Sequence, residues 1–264
     1  MLSETYPKLR NIRYFKTDMK RRGVISLCGQ DGLLISLRQK VSLSANKKVL
    51  TLSESIEQLH VEGVEEIIPS YCSVLVRFDP ERISFHELRE KIELIRRIKM
   101  QKNSEERYIL NVPVLYGGIV GIDLEEVAKL ARVSSEEVIR YHTSTVFHVF
   151  SIGFLPGFPY LGIVPRKIRI PRLENPRKCV RKGAVAIANQ QSGIYPVESP
   201  GGWRIIGQTP FELFAEGENP PTLFRPGDRV RFVQIGHEEF RAIKRHIEKN
   251  SWMSFERNWK GDAK

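Results

Sequence analysis

The sequence predicts an α+β protein in two parts, an N-terminal ferredoxin-like α/β layer followed by a closed β-barrel. Three observations carry this. The first half alternates pairs of apolar strands with segments of helical period. A polar, charged stretch, Gln101–Arg107, then separates two halves of dissimilar pattern. Beyond it, short apolar runs recur about every ten residues between Gly and Pro, as strands of a barrel do. A chain of 264 residues, 41% hydrophobic and 28% charged, is long enough for two cores and has the composition of a globular protein.

Residues 1–22 are polar and basic and read as a peripheral segment. Strands are predicted at Val24–Cys28 and Leu33–Leu37, on either side of the turn residues Gly29-Gln30-Asp31-Gly32. Val41, Val49, Leu52, Ile56 and Leu59 fall partly at helical spacing, with Gly63 as the stop. Val64–Ser70 and Cys72–Phe78 form a second strand pair. Ser84 and Glu87 have capping-box spacing, and the helix they open lines up Phe85, Leu88, Ile92, Ile95 and Ile98. Helices crossing one face of a small antiparallel sheet make residues 23–106 the ferredoxin-like part.

The second part spans 107–236. Tyr108–Tyr116 reads as a strand, and Pro113 makes it an edge or irregular one. Asp123 with Glu126, and Ser134 with Glu137, have capping-box spacing and open two short helices, the second ending near Tyr141-His142. Strands follow, among them Thr145–Ile152, Ala184–Ala188, Trp203–Gly207 and Arg229–Gln234. The tail, 237–264, begins as an amphipathic helix and then loses its pattern.

The net charge is +11, with basic residues gathered at Lys8–Arg22 and at Arg166–Lys182. Such clusters are either solvated surface or a surface for anions. Neither zinc-finger spacing nor an RNP motif accompanies them, so no nucleic-acid partner is expected. Cys28, Cys72 and Cys179 are too scattered for a disulfide framework and fit a reducing compartment. The first residues lack a signal-peptide core, and no run is apolar and long enough to span a membrane. The expectation is a cytoplasmic protein with no membrane partner.

Familiar catalytic signatures fail one by one. Gly202–Thr209 has P-loop spacing but carries Gln208 where the phosphate-binding Lys is required, and Pro210 follows; it reads as strand and turn. There is no Gly-x-Ser-x-Gly elbow. Ser44-Ala-Asn-Lys47 lacks the companions of a Ser-x-x-Lys enzyme. No metal-ligand spacing occurs. No catalytic residue and no metal ligand is assigned.

The candidate pocket comes from the stretch densest in Gly, Pro and aromatics, Phe147–Pro210. Gly and Pro shape loops, and aromatics on shaped loops are either core plugs or pocket walls. The candidates are Phe154, Pro156, Phe158, Tyr160, Tyr195, Pro200, Gly201, Gly202 and Trp203, with Gln190 as a neutral donor. Arg172 and Arg177 are added because a planar guanidinium can grip a carboxylate with two hydrogen bonds. His142 is included, although a lone His is more often a hydrogen-bonded structural residue. This set suits an amide or carboxylate ligand, or a peptide loop, in a partly apolar pocket.

Four segments, GFLPGFPYLG (153–162), the Pro-Arg pairs at 171–172 and 176–177, GAVAIANQQSGIYP (183–196) and SPGGWRIIGQTP (199–210), closely resemble the B subunit of the bacterial ATP-dependent 5-oxoprolinase. That family, also called allophanate hydrolase subunit 1, includes the kinase inhibitor KipI and is similar to part of the carboxyltransferase region of urea carboxylase. The resemblance implies a ferredoxin-like N-terminal domain and a cyclophilin-like barrel. It implies a complex with the C and A subunits of 5-oxoprolinase that opens 5-oxoproline to glutamate with ATP, the cofactor belonging to the complex. As alternatives, the resemblance implies an inhibitor that binds a sporulation histidine kinase and blocks its autophosphorylation, or a carboxyltransferase subunit. One departure is the pair Arg181-Lys182 before the GxVxI strand, where the family has small uncharged residues; it sets two cations beside the expected pocket.

Overall fold

The computed structural model describes residues 23–37, 40–97, 109–248 and 259. The basic cluster Lys8–Arg22, the stretch Gln101–Arg107, Tyr108 and Ile98 lie outside the described residues. The chain divides into two compact units, Met1–Ser104 and Glu105–Lys264.

In the first unit, strands β1 (Val24–Cys28), β2 (Gly32–Ser36), β3 (Val64–Ser70) and β4 (Ser73–Phe78) form one sheet in the order β1-β2-β4-β3, antiparallel throughout. Helix α1 (Leu43–Gln58) joins β2 to β3, and α2 (Phe85–Arg97) follows β4. The period-2 pattern sends Leu33, Ile35, Val74, Val76 and Phe78 to one face, where Val49, Leu52 and Ile56 of α1 and Leu88, Ile92 and Ile95 of α2 meet them. Both caps are local. Ser42 Oγ accepts from Ala45 N at 3.2 Å, and Ser84 and Glu87 close the predicted capping box. The helix ends before Gly63: the chain leaves α1 at Leu59, and His60 takes the left-handed conformation at φ 44°.

The second unit holds a closed seven-stranded barrel, in the order β10-β7-β6-β13-β5-β12-β9 and back to β10. Its strands are β5 (Ile109–Tyr116), β6 (Val146–Ile152), β7 (Pro159–Gly162), β9 (Ala184–Ala188), β10 (Gln191–Ile194), β12 (Arg204–Gln208) and β13 (Arg229–Gln234). Helices α3 (Leu124–Ala131) and α4 (Ser135–Thr143) follow β5, and α5 (His237–Ile247) follows β13. A separate ribbon pairs β8 (Arg177–Val180) with β11 (Ser199–Gly201). Among the described residues, no helix is long and apolar enough to cross a membrane.

Two sequence expectations are corrected here. β5 is not an edge strand: it pairs in parallel with β13 and antiparallel with β12. The carbonyl of Val114 accepts from Ile235 N, so Val114 faces β13 and Pro113 faces the other way. There β12 begins to pair only at Leu115, and the missing N–H of Pro113 breaks no ladder bond. The second correction concerns Asp123. It stands at the N-cap of α3 but makes no side-chain cap, because its carboxylate is engaged elsewhere. The Ser134–Glu137 box at α4 forms as expected.

Candidate functional site

The wall made by β9, β10 and β12 has two different faces. Val185, Ile187, Ile194 and Ile206 point into the barrel core. Ala184, Ala186 and Ile205 point outward, into a smaller cluster with Phe158, Tyr195 and Val180 of the β8–β11 ribbon. Alanines on the outward face leave room for large rings. Phe158 is the hub, with ring centroids 5.1 Å from Tyr160, 5.3 Å from Tyr195, 5.5 Å from Trp203 and 5.7 Å from Phe154, all edge to face. Phe158 and Tyr195 are buried, Tyr160 and Trp203 half-buried, and Phe154 is 64% exposed at the rim.

Glycine makes this close assembly feasible at two positions. A Cβ on Gly193 would lie 2.7 Å from the Phe158 ring and 3.0 Å from Trp203. A Cβ on Gly201 would collide with the Tyr195 hydroxyl. Burial raises the pKa of Tyr195 and of Tyr160, while the Trp203 backbone and the charge of Arg177 pull Tyr195 the other way. Arg177 pairs across the β8–β11 ribbon with Gly201, the residue packed against the Tyr195 hydroxyl.

Arg177 is held by a residue that the sequence did not reveal as part of the site. Its Nη2 donates to Asp123 Oδ1 at 2.6 Å, and Asp123 Oδ2 accepts from Ile205 N at 2.7 Å. Asp123 is buried, and Nη1 of Arg177 is buried with no hydrogen-bond partner among the described residues. Beside this pair, Arg204 Nη1 lies 2.6 Å from Glu126 Oε2, and Arg204 Nε donates to Pro171 O at 3.1 Å. Leu173 N donates to Gly202 O at 2.7 Å. These bonds pin the 171–177 segment along β12. The result is an oriented guanidinium next to an aromatic wall, an arrangement able to position a polar ligand but holding no nucleophile–base pair.

The predicted residues thus divide. Phe154, Phe158, Tyr160, Tyr195, Gly201 and Trp203 come together, with Gly202 against Pro176 and Arg177 at the border. Pro156 and Pro200 are exposed on the adjoining turn and ribbon. Arg172 is exposed and Gln190 sits in the β9–β10 turn, where its carbonyl accepts from Val164 N. Of the two extra cations, Arg181 is exposed and Lys182 pairs with Glu212.

His142 lies on the opposite side of the wall, fully buried inside the barrel. Its ring stacks on Phe232 at 4.3 Å. Nδ1 is 2.7 Å from the Tyr116 hydroxyl and Nε2 is 2.8 Å from Ser192 Oγ. Ser192 Oγ donates to Ala186 O, which assigns the proton of His142 to Nε2 and makes Nδ1 the acceptor. Burial pushes the His142 pKa down to about 3, and pushes that of Tyr116 well up. His142 is a neutral structural bridge and does not reach the aromatic cluster. Among the described residues, no group of His, Cys, Asp and Glu could hold a metal ion.

Comparison with known proteins agrees with this architecture. Residues 24–224 match the family described as carboxyltransferase domain, subdomain C and D. The chain is 38% identical to the 5-oxoprolinase B subunit of Bacillus subtilis (strain 168), over 86% of this chain and 98% of that protein. It is 36% identical to the 5-oxoprolinase B subunit of Escherichia coli O157:H7, over 78% and 94%. Among solved structures, TTHA0988 superimposes with a TM-score of 0.70 at 34% identity; the match covers 78% of this chain but 40% of that longer one. The urea carboxylase of Kluyveromyces lactis has the same fold at 18% identity and a TM-score of 0.66, with 84% of this chain matching 22% of that one. This chain belongs to the carboxyltransferase subdomain C and D family, which includes the 5-oxoprolinase B subunits.

Proposed function

We propose that this chain is the B subunit of a multi-subunit, ATP-dependent 5-oxoprolinase and that it contributes the Arg177–aromatic site to an active site shared with other subunits. The observation that carries this reading is the 38% identity to a B subunit matched over 98% of its length. The strand order β1-β2-β4-β3 supports a ferredoxin-like first domain, being that of a βαββαβ layer whose last strand is moved to the front. The barrel supports the cyclophilin-like reading of the second. Three free cysteines support a cytoplasmic location.

The chemistry is the opening of a lactam to glutamate, with ATP phosphorylating the stable carbonyl before water attacks. The Arg177–aromatic site suits orientation of the ligand. Arg177 offers hydrogen-bond donors to a carboxylate or lactam oxygen, and Tyr160 and Trp203 offer apolar walls to a compact ring. Gln208 lies in β12 and donates to Lys182 O at 2.7 Å, so the Gly202–Thr209 segment is a strand and not a phosphate cradle. Phosphate handling and bond cleavage fall to the other subunits.

The test is 5-oxoproline-dependent ATP hydrolysis with the purified chain, then with the A and C subunits added. The isolated chain should be inert and the mixture active. Trp203→Ala and Arg177→Lys should each lower activity of the mixture about tenfold or more while the chain stays folded. Turnover by the chain alone would refute the shared site. An inactive mixture, with tight binding to a histidine kinase instead, would replace this reading with the inhibitor one.

A further inference from the structure

The start of α3 grips two arginines from one face. Asp123 and Glu126 stand three residues apart, so their carboxylates lie on the same side of the helix. Asp123 takes Arg177 of the β8–β11 ribbon, and Glu126 takes Arg204 of β12. The two acids differ in burial: the Glu126 side chain is 52% exposed and that of Asp123 only 4%. An exposed carboxylate is screened by water, so the tighter hold is the one on Arg177.

Asp123 forgoes a local gain to make it. An aspartate at an N-cap ordinarily accepts from the backbone of its own helix, which is worth about 1 kcal/mol. Asp123 makes no such bond. Its Oδ2 accepts from Ile205 N and its Oδ1 from Arg177, 54 residues away. The carboxylate is thereby fixed at both oxygens, by a strand and by the ribbon. The guanidinium is fixed at one corner. Among the described residues its hydrogen bond comes from Nη2 alone, most of its N–H groups are unused, and 27% of the side chain is exposed.

The surroundings indicate what those donors receive. Arg172, Lys178 and Arg181 are exposed on the same segment, against Glu174. A planar fork of spare donors among cations suits a carboxylate. In the proposed reaction the lactam carbonyl must stay open to the phosphate of ATP, so the end held here is the one that does not react.

We infer that Asp123 is a positioning residue: by holding Nη2, it presents the free donors of Arg177 to the carboxylate of 5-oxoproline. The inference rests on the function proposed above. It narrows the role of Arg177 to ground-state binding of the non-reacting end, which governs KM and leaves kcat largely alone.

The experiment measures 5-oxoproline-dependent ATP hydrolysis by the full chain mixed with the A and C subunits, as a function of 5-oxoproline concentration. Asp123→Asn should raise KM about tenfold and change kcat less than about twofold. Arg177→Lys should do the same. The double variant should be no worse than Arg177→Lys alone, because Asp123 acts through Arg177. Glu125→Gln, which removes an exposed charge from the same turn, should keep the wild-type KM. Circular dichroism checks that each variant is folded; should Asp123→Asn unfold, Asp123→Glu replaces it, with the same expected rise in KM. An unchanged KM in the Asp123 variant, losses that multiply in the double variant, or an equal rise from Glu125→Gln overturns the positioning role and leaves the proposed function intact. A fall in kcat at constant KM overturns the carboxylate assignment, since it would place Arg177 at the reacting carbonyl. A wild-type mixture without turnover overturns both the inference and the function it rests on.

Discussion

Acid should destabilise the barrel through His142. The unfolded chain takes up a proton near the ordinary value of 6.5, whereas the folded chain does so only near 3, because the ring is sealed among Phe147, Phe232, Tyr116 and Ser192. The folded pKa is depressed, so the stability it represents is present above about pH 6.5 and is lost as pH falls towards 3. Taken to completion the loss is about 5 kcal/mol, and between pH 7 and pH 5 it is about 2 kcal/mol. For a unit of this size that is a fall in Tm of roughly 4–8 °C. Most carboxylates titrate below this window, which makes the pH 7 to 5 interval diagnostic. The control is His142→Gln, which keeps a polar side chain between Tyr116 and Ser192 but cannot titrate. Urea or thermal unfolding of both proteins at pH 7, 6 and 5 should show the extra loss in wild type alone, about one proton's slope. If wild type and variant lose stability in parallel, His142 is not held neutral by burial and the reasoning fails.

Asp123→Ala should cost roughly 2–4 kcal/mol in chemical denaturation, since it strips the half-buried Arg177 of its partner and Ile205 N of its acceptor; Asp123→Asn, which keeps an acceptor but not the charge, should cost less, and equal costs would show that the hydrogen bond to Ile205 adds nothing beyond the charge. Gly201→Ala should destabilise by about 1–3 kcal/mol by driving a methyl group into the hydroxyl end of the Tyr195 ring, and the loss of that cost in a Tyr195→Ala background, measured by a double-mutant cycle, checks the cause. Phe154→Gly relieves a left-handed backbone at φ 70° but gives up the edge contact with Phe158, two terms of about 1 kcal/mol each and opposite sign. Its melting temperature should stay within a few degrees of wild type, and a large loss would mean that the ring carries more of the packing than its exposure suggests.

Features set by local chemistry were legible in the order of residues. Capping boxes at Ser84 and Ser134 lie within four residues, and both form. The strand pairs of the first unit and the alternation in Ala184–Ala188 follow from the period-2 pattern and their turns. The Gly/Pro/aromatic stretch held most of the aromatic cluster, because a glycine that lets rings pack closely is visible as a glycine. Tertiary structure alone decided the rest, where partners are far apart in sequence. Asp123 and Arg177 are separated by 54 residues, and nothing around Asp123 distinguishes a helix cap from an anchor for a guanidinium. Tyr116 and Ser192 stand 26 and 50 residues from His142, and only closure of the barrel places them on either side of its ring and away from the aromatic face. Pro113 looked like an edge residue because a sequence shows the missing N–H but not its direction, and the parallel pairing with β13 points it to where β12 has yet to begin.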